Sequence, residues 1–116
     1  MSLTLDIVDD DEAVRDSTRA LLESYGYTVR AFASAEDYLN SGGNAADCLL
    51  VDQHMPGMTG LDLLERLHAQ GSHVRAIMMT GRSDPTLEPR AHRIGVKLLH
   101  KPVEEAQLVR WIENAA

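Results

Sequence analysis

The chain has 116 residues, one domain's worth, and is 44% hydrophobic and 25% charged with a formal net charge of −7. Folding at this length buries roughly 65% of the unfolded surface, enough for a real core, while the acidic balance excludes a domain that grips nucleic acid through a basic surface of its own. No apolar run approaches the ~20 residues of a membrane span and no signal peptide is visible, so the expected location is the cytoplasm.

Strand and helix patterns alternate along the chain, which favours an α/β fold around a parallel sheet. The first predicted strand, Thr4 to Val8, runs into Asp9-Asp10-Asp11. A helix follows with Val14, Thr18, Leu21, Leu22 and Tyr25 at 3–4 spacing, stopped by Gly26. Tyr27 to Phe32 reads as the second strand. Ser34 reads as the cap of a short helix with Glu36 and Asp37 in its first turn, ending near Ser41-Gly42-Gly43. The third strand, Asp47 to Val51, ends at Asp52 and contains the lone Cys48, which reads as a small buried core residue in a reducing compartment.

Asp52 to Gly60 is a loop by its Pro and Gly content. The next helix carries Leu61, Leu64, Leu67 and His68 on one stripe and stops at Gly71. Val74 to Met79 is the fourth strand, ending at Thr80-Gly81. Asp84 to Ile94 has helical character but contains Pro85 and Pro89. Pro85 suits a first turn, whereas Pro89 four residues later would clash with the preceding turn at ~3 kcal/mol. The helix is therefore expected to start late, near Pro89, or to follow an irregular stretch. Val96 to Leu99 is the fifth strand, closed by Lys101-Pro102. Val103 to Glu113 is a final helix with Leu108, Trp111 and Ile112 inward. Tyr25, Tyr27 and Trp111 read as core or partly buried positions. His68, His73, His92 and His100 lack metal-ligand spacing.

Right-handed crossovers turn this pattern into a doubly wound, three-layer α/β/α fold. In the flavodoxin-like order 2-1-3-4-5, the switch point lies between the first and third strands, the two that end in Asp. Asp9, Asp10, Asp52, Thr80 and Lys101 then share one crevice. Clustered carboxylates at buried strand ends repel each other and are penalised by desolvation, and a cation is the usual compensation. Hard oxygen ligands suit Mg²⁺ or Mn²⁺. A phosphoryl group bridging the metal and Lys101 would satisfy every member, with a carboxylate as nucleophile.

The run Val8-Asp9-Asp10-Asp11-Glu12, the Asp52-x-x-Met55-Pro56-x-Met58-x-Gly60 loop, Thr80-Gly81 and Lys101-Pro102 together resemble the receiver domain of two-component response regulators. The stretch from Asp9 to Arg15 is most similar to FixJ-type receivers. The resemblance covers essentially the whole chain and implies a single receiver domain over residues 1–116, stand-alone or cut from a longer regulator. It implies that Asp52 accepts phosphate from a sensor histidine kinase. It implies likewise that Asp10 binds Mg²⁺ directly, that Asp9 assists partly through water, and that the backbone carbonyl of His54 is the third protein ligand. Lys101 contacts the phosphoryl oxygens, Thr80 moves toward them on activation, and Pro102 follows a cis peptide bond. The implied partners are the kinase, a DNA-binding output domain or partner protein, and a second copy of the chain after phosphorylation. No turnover enzyme is implied, only self-phosphotransfer and autodephosphorylation.

Three features depart from the family pattern. Leu98 stands where an aromatic switch residue is common. The two prolines fall in a helix whose face, locally basic through Arg82, Arg90, His92 and Arg93, is either a solvated face or a partner-binding one. His54 and Arg82 flank the expected phosphorylation site, where side chains modulate water attack; Arg82 could screen the phosphoryl group or draw water toward it. Three other functions fit less well. An Asp-nucleophile, Mg-dependent phosphatase would carry a second acid where His54 stands. A non-phosphorylated interaction module would have lost Asp52, Lys101 or the paired acids. A flavodoxin-type electron carrier would need a phosphate-binding loop where Asp9 to Asp11 stand.

Overall fold

The computed structural model describes residues 3–42 and 46–114. Its elements alternate without exception among the described residues. They are β1 (Thr4–Val8), α1 (Glu12–Ser24), β2 (Thr28–Phe32), α2 (Ala35–Asn40), β3 (Cys48–Asp52), α3 (Gly60–Ala69), β4 (Arg75–Thr80), α4 (Leu87–Arg93), β5 (Lys97–His100) and α5 (Glu105–Glu113). The strands form one parallel sheet in the order β2-β1-β3-β4-β5, as expected. The Lys101–Pro102 peptide is cis.

Side-chain alternation along the central strands divides the core in two. Leu49 and Val51 of β3, with Ala76 and Met78 of β4, meet Leu61, Leu63, Leu64 and Leu67 of α3 and Leu87 and Ala91 of α4. Cys48 and Leu50, with Ile77 and Met79, face the other way onto Leu22 of α1 and Leu108 and Ile112 of α5. Cys48 is buried, as its place in a central strand dictates. Apolar residues on both faces of β3 and β4 are what a parallel sheet covered by helices on both sides requires.

Local chemistry sets the helix ends. Asp11 caps α1 by accepting from Val14 N–H at 3.1 Å, and Ser34 caps α2 by accepting from Asp37 N–H at 3.0 Å. Gly26 turns the chain out of α1 at φ +90°, a conformation glycine adopts without strain. At α3, Thr59 and Asp62 form a capping box. The proposed end of α2 includes Gly43, which lies outside the described residues.

Four expectations need correction. Tyr25 is not core: it is 46% exposed at the C-terminal cap of α1, its hydroxyl donating to Glu105 at 2.6 Å. Val14 lies on the predicted apolar stripe but is 41% exposed. His68 is exposed, as its reading as a surface histidine expects but its place on the predicted apolar stripe does not, and Leu63 completes the buried face of α3. The basic character around α4 is reduced because Arg90 pairs with Glu65 at 2.6 Å and Asp62 at 3.6 Å on α3. The late start of α4 is as expected. The helix begins at Leu87 and leaves Pro85 outside, so Pro89 falls in its first turn, where an N–H has no helical partner to lose.

Candidate functional site

Four strands deliver five side chains to the carboxyl edge of the sheet. Asp9 and Asp10 follow β1, Asp52 is the last residue of β3, Thr80 the last of β4, and Lys101 follows β5. The strand ends are tied together by backbone hydrogen bonds. Asp9 N–H donates to Phe32 O at 3.1 Å, Gln53 N–H to Met79 O at 2.8 Å, and Lys101 N–H to Thr80 O at 2.8 Å. Convergence of these residues is therefore a property of the sheet and does not depend on loop conformation.

Carboxylate oxygens of Asp9, Asp10 and Asp52 lie within 4.8 Å of one another. Asp9 and Asp52 are 3% and 4% exposed, and Asp10 faces solvent. Burial raises the pKa of Asp9; the Asp11 N–H, donating to its Oδ1 at 3.0 Å, lowers it, and repulsion from Asp52 adds to the rise. Arg15 fixes the same turn by donating to Asp9 O at 2.8 Å.

Lys101 Nζ stands 2.7 Å from Asp52 Oδ1. This ion pair joins a part-exposed ammonium to a buried carboxylate oxygen. Burial alone would lower the Lys101 pKa. Asp52, then Asp9 and Asp10, outweigh it and leave the ammonium above its ordinary value. Three carboxylates offset by one ammonium leave a net negative cleft. Such a donor set fits a hard divalent cation, and Asp9, Asp10 and Asp52 are the residues that would hold it.

Thr80 is 1% exposed. Its hydroxyl donates to Arg82 O and accepts from Arg82 N–H, each at 3.2 Å, and it lies 2.9 Å from His54 Nε2. His54 thus faces Thr80 with its ring, a contact that the sequence reading did not include. Arg82 meets Thr80 through its backbone, and its side chain is in an exposed residue. Leu98 pairs with Met78 across β4 and β5 and packs against the α3–α4 side of the core.

Two further residues were missed. Gln53 is buried, and its side-chain Oε1 accepts from Leu61 N–H at 2.8 Å, pinning the start of α3 to the loop after Asp52. Gly60 lies so close to the end of β3 that a Cβ would stand 2.5 Å from Asp52 O. The glycine itself was legible in the loop motif; the backbone approach that requires it was not.

The family model for the response regulator receiver domain matches residues 5–113. The transcriptional regulatory protein FixJ of Azorhizobium caulinodans is 40% identical over 110 residues, covering 93% of this chain and 52% of the relative. The chain spans about half the length of the curated relatives it matches. Among solved structures, FixJ-N superimposes with a TM-score of 0.87 at 32% identity, covering 99% of this chain and 94% of that one. A CheY-like response regulator receiver domain from Methanospirillum hungatei JF-1 gives 0.90 at 32% identity, with 98% and 93% covered. Strand order, the acidic cleft at the switch point and these matches agree: the chain belongs to the receiver domain family of two-component response regulators.

Proposed function

We propose that Asp52 is the phosphoacceptor of this receiver and that Asp9, Asp10 and the His54 carbonyl complete a Mg²⁺ site beside it. The observation that carries this reading is the buried Asp52 carboxylate, its Oδ1 2.7 Å from Lys101 Nζ and its oxygens clustered with those of Asp9 and Asp10. A carboxylate so placed is shielded by the sheet and open only to the cleft. Its oxygen attacks phosphorus on the donor, the donor's P–N or P–O bond breaks, and the leaving group takes up the proton it needs. Lys101 stays charged throughout and screens the incoming phosphoryl oxygens. Bound Mg²⁺ would supply neutralisation of the phosphoryl charge. The Thr80 hydroxyl then donates to a phosphoryl oxygen, which draws the β4 end toward Asp52.

The domain acts as a signalling unit, and its only chemistry is self-phosphotransfer and slow loss of the phosphoryl group. The donor in the cell is a sensor histidine kinase, reached from the cytoplasm. The relatives' greater length and their names as transcriptional regulators support residues 1–116 as the receiver of a longer regulator with a DNA-binding output. Incubation with acetyl phosphate tests the chemistry. The expected product is a hydroxylamine-labile acyl phosphate that forms with Mg²⁺ and not with a chelator. A folded protein that stays unlabelled under both conditions would refute it.

A further inference from the structure

The Thr80 hydroxyl has one proton and two lone pairs, and three groups already surround it. Arg82 takes two positions through its own backbone, both at 3.2 Å. The third and shortest contact, 2.9 Å, is to His54 Nε2. His54 lies two residues beyond Asp52 in the loop that leaves β3, and it is half-buried. Its ring therefore bridges from the Asp52 loop to the end of β4.

On the reading above, Thr80 must give a proton to the phosphoryl group. In this arrangement its proton lies on Arg82 O and its lone pairs face Arg82 N–H and His54, so swinging the hydroxyl toward the phosphoryl group stretches the contact that is anchored elsewhere. Backbone contacts to Arg82 move with Thr80, because only Gly81 separates the two residues. The contact to His54 does not, because it crosses between loops.

We infer that His54 is a positioning residue that latches the Thr80 hydroxyl in the resting state, a bond that breaks when the hydroxyl swings toward the phosphoryl group. This inference rests on Asp52 being the phosphoacceptor. It adds a side-chain role for His54, independent of the carbonyl that the metal site would use. With the hydroxyl proton donated to Arg82 O, His54 Nε2–H is the donor of this bond.

Affinity of the Mg²⁺-loaded protein for beryllofluoride, which occupies the place of the phosphoryl group, tests the latch. Removing one hydrogen bond that opposes binding predicts about three- to tenfold tighter binding in His54→Ala. His54→Gln, which can renew a bond to Thr80, returns the affinity toward wild type. In a Thr80→Val background, His54→Ala has no such effect. An equal gain in that background, or no gain in the wild-type background, would overturn the latch. A second readout needs neither metal nor ligand. The His54 Nε2 resonance of the unphosphorylated protein shifts in Thr80→Val if the bond exists, and an unmoved resonance refutes it. Wild-type protein that is folded but binds no beryllofluoride would bring down the phosphoacceptor reading itself, an outcome distinct from any failure of the latch.

Discussion

Asp9 carries the clearest electrostatic consequence of the site. Its carboxyl is desolvated beside Asp52, so the folded protein holds its proton more tightly than the unfolded chain does. A raised carboxyl stabilises the fold while protonated, and that contribution is lost as pH rises through the folded-state value. The metal-free protein should therefore lose stability from the ordinary carboxylate range upward, and Mg²⁺ should restore it most near neutrality. Asp9→Asn keeps the acceptor for Asp11 N–H and removes the charge. It should stabilise the metal-free protein at pH 7 by on the order of 1 kcal/mol and weaken the gain from Mg²⁺. Urea unfolding with and without Mg²⁺ reads both. Asp6 shows the opposite arrangement. It is fully buried in β1, and both carboxylate oxygens accept from Arg30 at 2.8 Å. Arg30→Ala would strand that charge and should cost about 3 kcal/mol. Asp9, Asp10, Asp52, Thr80 and Lys101 were legible because each closes an apolar run. Asp6 and Arg30 were not, since their pairing depends on register between strands 24 residues apart. The His54 ring contact was equally hidden, because side-chain direction in a loop leaves no periodic trace.

At the level of elements, glycine and proline decide what sequence reveals. Pro89 warned that α4 could not run from Pro85, and the helix duly starts at Leu87. Because Pro89 lies in the first turn, it removes no helical hydrogen bond, and its ring faces the carbonyl of a residue outside the helix. Pro89→Ala should change stability by less than about 0.5 kcal/mol, where a mid-helix proline would show ~3 kcal/mol on removal. Thermal unfolding distinguishes the two. Gly60 predicts the reverse. An added Cβ would meet backbone at 2.5 Å and Val51 Cγ1 at 2.9 Å, both rigid parts of the core. Gly60→Ala should destabilise by about 1–3 kcal/mol and displace the Asp52 loop, visible as slower phosphorylation by acetyl phosphate in the fraction that remains folded. Tyr25 misled because it continues the α1 spacing but sits at the cap, where the chain has already left the helix axis.

Over the whole molecule, the sheet separates two surfaces that share the cleft. On the α1–α5 side, an apolar cavity of about 540 Å³ is lined by Val14, Thr18, Leu21, Met79, Val103 and Leu108, and its edge includes Lys101. Lys101 also contacts Asp52, so a phosphodonor protein seated in this groove would lie beside the acceptor. Val14, exposed and on the groove, is the position that separates docking from chemistry. Val14→Glu should slow transfer from a kinase about tenfold, as expected for loss of an apolar anchor, and leave labelling by acetyl phosphate unchanged. Equal loss with both donors would place the effect on the fold.

The chemistry of the cleft depends on which carboxylate takes the phosphoryl group. Intact mass after incubation with acetyl phosphate and Mg²⁺, wild type beside Asp52→Asn, measures it directly. One phosphoryl adduct on wild type and none on the variant is the predicted result. An adduct of equal yield on Asp52→Asn would contradict the assignment and move the acceptor elsewhere in the cleft.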